Sequence, residues 1–170
     1  MRAHARKYQY HGAMTPTGEP SGLGAWRALL QAYAVVVPRI ERTLQAETGL
    51  PFPWYDVLLE LNAAKPERRL RMQDLGDRVT ISRSRVSRVV DELERVGFVE
   101  RIPDPSDRRA SFAAITPEGR TALRKAAPVY LAAVEQEFLA HLSAAEARTI
   151  EHALDRVRDC LLYPSDAADE

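Results

Sequence analysis

The chain has 170 residues, 45% of them hydrophobic, and its 24 basic and 24 acidic side chains leave no net charge. This length suits one domain with a sizeable core, alone or with a dimerisation extension. The single cysteine excludes an internal disulfide and a cysteine-rich metal site, and no apolar run is long enough to span a membrane. Since a signal-peptide pattern is also missing, we expect a cytoplasmic protein without a membrane partner.

Charge is unevenly distributed along this neutral chain. Residues 68–109 hold 11 arginines and 8 acids, a net of +3, whereas residues 110–170 hold 6 basic and 10 acidic side chains, a net of −4. A local basic patch on a neutral protein is still an electrostatic footprint of nucleic-acid binding.

Residues 1–21 are predicted to be a poorly ordered N-terminal tail, and residues 22–50 a long dimerisation helix. Its apolar residues recur at spacings of 4, 3, 4, 3 and 4, the pattern of a helix that packs along a coiled-coil seam. These residues are Trp26, Leu30, Tyr33, Val37, Ile40 and Leu44. Pro38 lies inside the helix and predicts a kink or a short break.

Residues 51–116 are predicted to hold a short helix, a turn, a second helix and a two-stranded ribbon. The second helix buries a stripe of Val86, Val89, Val90 and Leu93, and its opposite face carries hydroxyls and arginines. Small hydroxyls allow close approach to a DNA groove, and arginines reach phosphates or a guanine edge. The candidate DNA contacts on this helix are Ser82, Arg83, Ser84, Arg85, Ser87 and Arg88. The alternative is an ordinary amphipathic helix with a solvated arginine face.

The ends of this second helix carry recognisable signals. Ser82 is a plausible N-cap, and Gly97 is placed to be the glycine that ends the helix. Strand-like runs at 98–102 and 111–115 then flank a turn-rich tip that ends in Arg108 and Arg109. A ribbon with arginines at its tip, directly after a basic helix, is predicted to be a wing that contacts a minor groove or its phosphates.

The order and spacing of these segments resemble the MarR family of winged helix-turn-helix transcriptional regulators. The matching segments are WYDVL at 54–58, SRSRVSRVVD at 82–91, DPSDRR at 104–109 and ITPEGR at 115–120. The resemblance covers about residues 23–162. It implies a mainly α fold with a small β-wing and flanking dimerisation helices. It also implies a repressor without a cofactor that binds a pseudo-palindromic operator in double-stranded DNA.

Residues 117–163 are predicted to form two C-terminal dimerisation helices, and residues 164–170 an acidic tail. Thr116 is the predicted N-cap of the first of these helices, with Pro117 at its first position. Pro128 again predicts a kink or a short break.

The last helix starts at a capping box of Ser143 and Glu146 and carries a second apolar seam. Because a compact winged helix cannot cover both seams, we expect a C2 homodimer in which the first and last helices of two chains interleave. The predicted interface residues are Leu30, Tyr33, Val37, Ile150, Leu154, Val157 and Leu161. The alternative is an intrachain helix bundle that buries the same seams.

Catalytic and metal-binding motifs are missing from the sequence, so we expect a protein that is not an enzyme and holds no metal. His141 and His152 lie on different predicted helices and are expected at the surface or an interface. Cys160 is expected to be a buried, inert thiol beside the second seam. Two alternatives stay open. One is a thiol redox switch, which needs an exposed Cys160 with a lowered pKa. The other is a scaffold protein that uses a winged helix for protein contacts.

The resemblance also implies an effector. MarR-like proteins often bind a small anionic aromatic ligand between the dimer helices and the DNA-binding domain, and the ligand weakens DNA affinity. The candidate lining residues here are Trp26, Tyr33, Trp54, Tyr55, Asp56, Arg88 and Arg101. Trp26, Asp56, Arg88 and Arg101 resemble the residues of urate-responsive relatives. Alternatively, Asp56 anchors its own helix and Trp26 belongs to the dimer core.

Overall fold

The computed structural model describes residues 22–104 and 107–162, apart from the side chains of Arg108, Arg109 and Leu162. The elements, in chain order, are α1 (Leu23–Thr48), α2 (Phe52–Ala63), β1 (Arg69–Arg71), α3 (Met72–Arg78), α4 (Arg83–Arg95), β2 (Val99–Asp104), β3 (Asp107–Ile115), α5 (Pro117–Glu137), a 3-10 turn (Leu139–His141) and α6 (Ala144–Leu162). The tails predicted at 1–21 and 164–170 lie outside the described residues. None of the described helices is long and apolar enough to cross a membrane.

The chain divides into two compact units after Val37, and each is described by itself. The described part of the first unit is the N-terminal part of α1, whose large apolar side chains are exposed: Trp26 by 57%, Leu30 by 48% and Tyr33 by 62%. The helix assignment continues through Pro38, and that of α5 through Pro128, so neither proline breaks its helix.

The second unit contains a three-stranded antiparallel sheet in the order β1-β3-β2. Arg69 pairs with Ala114, and Val99 pairs with Ile115, so β3 is the central strand. The two-stranded ribbon predicted from the sequence is therefore part of a three-stranded sheet. The missing strand, β1, has only three residues, which is too short for an alternating pattern to reveal. The ribbon is also longer than predicted, because β2 and β3 extend into the tip.

The core of the second unit lies among the C-terminal part of α1, helices α2 to α5 and the sheet. Leu58, Leu61, Leu75 and Leu93 are fully buried there. The predicted stripe of α4 is confirmed, since all four of its side chains are buried. Each such aliphatic side chain stabilises the packing by roughly 1.5–3 kcal/mol. This burial fixes which face of α4 remains in solvent.

The predicted helix starts are confirmed as well. The backbone N–H of Gly119 donates to Thr116 Oγ1 at 3.0 Å, and the Thr116 hydroxyl donates to the Gly97 carbonyl oxygen at 2.7 Å. At α6, the Glu146 N–H donates to Ser143 Oγ at 3.3 Å, while Ser143 N–H donates back to Glu146 Oε2 at 2.8 Å. The Ser143 hydroxyl also donates to Glu146 Oε2 at 2.7 Å, and this bond, followed by that from the Ser143 N–H, lowers the pKa of the Glu146 carboxyl. Both helices therefore begin with satisfied backbone donors.

Helix α5 meets the base of the ribbon at backbone level. A Cβ atom on Gly119 would lie 2.1 Å from the carbonyl oxygen of Phe98, a distance that no real side chain tolerates. The start of α5 can approach the strand only because residue 119 has no side chain.

Candidate nucleic-acid interface

The solvent face of α4 carries the predicted contact residues. Ser82 is the N-cap residue, with extended backbone angles of −62° and 144°, but its hydroxyl makes no capping bond and lies 3.2 Å from Ser84 Oγ. All six predicted contacts on this helix are exposed: Ser82, Arg83, Ser84, Arg85, Ser87 and Arg88. The structure thus brings hydroxyls and guanidinium groups together on one surface, which is the chemistry that reads base edges and phosphates.

The turn before α4 is held by a buried carboxylate. Asp56 of α2 is only 7% exposed. Its Oδ2 accepts two hydrogen bonds from Thr80, one from the backbone N–H at 2.7 Å and one from the hydroxyl at 2.8 Å. Hydrogen bonds to an ionised acceptor are about twice as strong as neutral ones. Asp56 therefore positions the entry to α4, as the structural alternative for this residue predicts.

The far end of α4 is closed by a Schellman motif. Gly97 has a φ of 77°, in the left-handed region that favours glycine. Its N–H donates to the carbonyl oxygen of Glu94 at 3.0 Å, and the N–H of Phe98 donates to that of Leu93 at 2.9 Å. The predicted role of Gly97 is confirmed, and the motif turns the chain directly into β2.

The three arginines on the outer face of α4 differ in their partners. Arg83 forms an ion pair with Asp77 of α3. Within the described residues, neither Arg85 nor Arg88 is paired with a carboxylate. Arg85 and Arg88 are thus the cations of this surface that can meet DNA without first leaving an acidic partner.

The wing is attached to α4 by Arg101 of β2. Its guanidinium group forms an ion pair with Asp91, lies 3.5 Å from Glu94, and donates to the Ser87 carbonyl oxygen at 3.3 Å. Arg101 is only 26% exposed, so these partners lie in a partly desolvated joint. Arg101 therefore links β2 of the wing to α4.

A further ion pair, between strands β1 and β2 of the sheet, was not predicted. Arg71 of β1 lies 2.7 Å from Asp104, whose side chain is 3% exposed, and the Arg71 guanidinium also stands 5.7 Å from the Phe112 ring. In the sequence Asp104 is one of several turn-forming residues, and the pairing partner belongs to the unpredicted strand. No local signal identifies this contact.

Two arginines lie at the tip of the wing. Arg108 and Arg109 belong to β3, but their side chains lie outside the described residues. Their contact with DNA stays a prediction.

Between α3, α4 and the wing lies a cleft of about 560 Å³. Arg71, Arg83 and Arg101 line it, together with Ser87 and Ser111. Each of the three arginines already has a carboxylate partner: Asp104, Asp77 and Asp91, respectively. The cleft is therefore nearly balanced in charge although it is rich in arginine.

The seven candidate effector residues are divided between the two units, and each is described within its own unit. Trp26 and Tyr33 belong to the first unit, while Arg88 is exposed and Arg101 is bound to α4. Tyr55 is 3% exposed. Burial, and to a lesser extent Tyr130, raises the pKa of Tyr55 to about 12. Its ring packs 4.5 Å from that of Tyr130, so Tyr55 is a core residue.

Trp54 faces a second cavity of the second unit. Its indole N–H donates to Glu92 Oε2 at 3.0 Å, and its ring meets Phe98 edge-on at 6.4 Å. The cavity has a volume of about 770 Å³ and is lined by Trp54, Val96 and Phe98, with Lys125 and Glu118 also on its wall. An aromatic side chain and a cation thus border one space next to the end of α4.

Cys160 is exposed in the single chain, so the prediction of a buried thiol is wrong at this level. The surrounding face of α6 is exposed as well, which is why nothing in the described chain covers the thiol. His141 and His152 are also exposed, as predicted, and the described residues contain no cluster suited to a metal ion.

Comparison with known proteins identifies the family. The sequence model of the MarR family matches residues 48–110. The DNA-bound MarR family transcriptional regulator Sco3205 from Streptomyces coelicolor is 34% identical; the alignment covers 93% of this chain and 96% of that one, with a TM-score of 0.76. MhqR of Bacillus subtilis is 33% identical over 100 residues, or 59% of this chain and 67% of MhqR. The HTH-type transcriptional regulator YkoM of the same species is 34% identical over 68 residues, which is 40% of this chain but spans only 44% of YkoM. The chain therefore belongs to the MarR family of transcriptional regulators.

Proposed function

We propose that this protein is a homodimeric transcriptional repressor that places α4 of each protomer in the major groove of a pseudo-palindromic operator. The observation that carries the proposal is the two-sided character of α4. Its apolar stripe is buried in the core, while its hydroxyls and arginines are all exposed. Arg88 would pair with a guanine edge and Arg85 with a phosphate, and Arg108 and Arg109 of the wing would contact the flanking groove.

A dimer is supported by apolar faces that the described chain leaves uncovered. Leu154, Val157 and Leu161 of α6 are 41%, 57% and 71% exposed, and Trp26, Leu30 and Tyr33 of α1 are similarly accessible. Contiguous exposed apolar surface of this kind marks an interaction site. A second copy of the chain supplies matching seams, with residues 22–50 and 117–163 as dimerisation helices and residues 51–116 as the DNA-binding domain. Two-fold symmetry then places two α4 helices about 34 Å apart, one helical turn of DNA.

We further propose that a small anionic aromatic ligand releases the repressor by binding beside Trp54. Its ring would stack on the Trp54 indole, and its carboxylate would meet Lys125, which has no carboxylate partner among the described residues. We favour Lys125 over the sequence candidate Arg101 because Arg101 is already bound to Asp91 and Glu94.

This cavity is well placed for coupling to DNA. Trp54 is hydrogen-bonded to Glu92 of α4, and Val96 and Phe98 follow directly at the end of that helix. A ligand that displaces the indole would therefore shift α4 relative to the core, and operator affinity would fall.

Capture of genomic fragments by the purified protein tests the main proposal. We expect enrichment of a small set of fragments that share a pseudo-palindromic sequence. If no fragment is enriched over an unrelated protein of similar charge, the scaffold alternative is favoured instead.

A further inference from the structure

The first residue of the proposed reading helix is already paired with an acid of its own chain. Arg83 opens α4, and its guanidinium group forms an ion pair with Asp77 in the last turn of α3. The Arg83 side chain is 70% exposed and that of Asp77 is 36% exposed. The pair therefore stands at the solvent surface, at the end of the helix that the proposed function turns toward DNA.

The direction of the Arg83 side chain is set by its contact with a glycine. A Cβ atom on Gly76 would lie 3.4 Å from Arg83 Cγ, so the aliphatic stem of the arginine packs against residue 76. The guanidinium group then reaches the next residue, Asp77. The Gly76-Asp77 pair in α3 thus supplies both a space for the stem and an anion for the head group.

The next two arginines of α4 have no such acidic partner among the described residues. Arg85 and Arg88 are exposed, and neither is paired with a carboxylate within the described residues. Of the three arginines near the start of α4, only Arg83 is paired with a carboxylate of the described residues. A phosphate that binds Arg83 must displace the Asp77 carboxylate, and it then lies close to that negative charge.

We propose that Asp77 is an internal competitor for Arg83 that restrains the phosphate-driven part of DNA affinity; this inference rests on the proposed function of α4. The displacement is feasible because an exposed ion pair is weak, worth about 0.2–1 kcal/mol. Its effect falls on the contact that carries no sequence information, since phosphate contacts supply nearly all of non-specific binding. Base reading by Arg88 has no such competitor among the described residues.

Asp77→Asn tests this proposal, with Asp74→Asn as the matched control. Both residues lie on α3, both are exposed, and each substitution removes one negative charge per protomer; Asp74, unlike Asp77, has no ion pair in the described chain. The probe is a short mixed-sequence DNA duplex, so that no operator needs to be known. We expect Asp77→Asn to bind about two- to fivefold more tightly per protomer than Asp74→Asn. Its log–log salt slope should be steeper, by up to about 0.9 per protomer.

The role of Arg83 is isolated by repeating both substitutions in an Arg83→Ala background. In that background, Asp77→Asn and Asp74→Asn should bind DNA with the same affinity, because the guanidinium group for which Asp77 competes is no longer present. Equal affinities of the two variants in the presence of Arg83 would overturn the inference while leaving the proposed function intact. An Arg83→Ala protein that binds DNA like the wild type would overturn it too, by removing Arg83 from the interface. If the wild type binds no duplex at all, the proposed function itself fails.

Discussion

Asp56 accepts both the backbone and the hydroxyl hydrogen of Thr80, and so ties α2 to the turn that leads into α4. The carboxylate is buried, and its removal leaves the two Thr80 donors without their acceptor. We expect Asp56→Ala to lower the free energy of unfolding by about 1.5–3 kcal/mol, the range for hydrogen bonds to a charged group. Urea denaturation measures this loss.

Thr80→Val provides the graded comparison for Asp56. It removes the hydroxyl bond but keeps the amide bond, so it should cost about half as much as Asp56→Ala. Equal stability of Asp56→Ala and the wild type would mean that Asp56 does not hold the turn.

The salt dependence of operator binding reports how many arginines meet phosphates. The two protomers of the proposed dimer bring ten candidate arginines: Arg83, Arg85, Arg88, Arg108 and Arg109 from each. If about eight of these neutralise phosphates, the log–log slope of affinity against salt should be near −7, at about −0.9 per contact. Fluorescence anisotropy at several salt concentrations gives the slope, and a value shallower than about −2 speaks for the scaffold alternative.

Base reading and backbone positioning should separate between α4 and the wing. Arg88→Ala should reduce operator affinity by about 1–3 kcal/mol and relax the preference for one base. Arg109→Ala should instead weaken binding to many sequences alike, and the log–log slope of its affinity against salt should be shallower. Binding to a panel of single-base operator variants distinguishes the two patterns. Unchanged affinity in both proteins would contradict the groove assignment.

The proposed dimer depends on the seam of α6. Leu154→Asp would place an unpaired carboxylate in that interface, at a cost of several kcal/mol per site. We expect a monomeric or insoluble protein that no longer binds the operator, and analytical ultracentrifugation gives the mass. His152→Asp is the matched control, since His152 is exposed on the same helix but off the seam. A Leu154→Asp protein that stays dimeric at micromolar concentration would move the interface elsewhere.

The effector proposal predicts a signal from Trp54. In a Trp26→Phe background, only Trp54 contributes tryptophan fluorescence, and titration with salicylate-like acids or urate should change it. Lys125→Gln should weaken that binding, whereas Lys65→Gln, at a lysine outside the lining of this cavity, should not. Coupling must be reciprocal and of about 1–3 kcal/mol, so the ligand should bind more weakly to the operator complex. If no acid binds below millimolar concentration, or if binding leaves operator affinity unchanged, the cavity beside Trp54 is not a regulatory site.

The features that sequence alone predicted are those with a local signal. The stripe of α4 follows helical periodicity, and Gly97, Thr116 and the Ser143–Glu146 box are recognisable helix ends. Strand β1 and the Arg71–Asp104 pair were missed because both depend on contacts between residues far apart in the chain. The same holds for Asp77: its sequence position marks it only as a polar residue of α3. Its meeting with Arg83 requires the packing of two helices.

The bare backbone at Gly119 has a consequence for operator geometry. Since a methyl group there would meet the Phe98 carbonyl oxygen, Gly119→Ala would push α5 away from the ribbon. In the proposed dimer, α5 links each DNA-binding domain to the shared helices. A small tilt at the start of this 21-residue helix would therefore produce a larger displacement of the DNA-binding domain relative to those helices. The absence of a side chain at residue 119 would then determine how many base pairs separate the two half-sites that the dimer accepts.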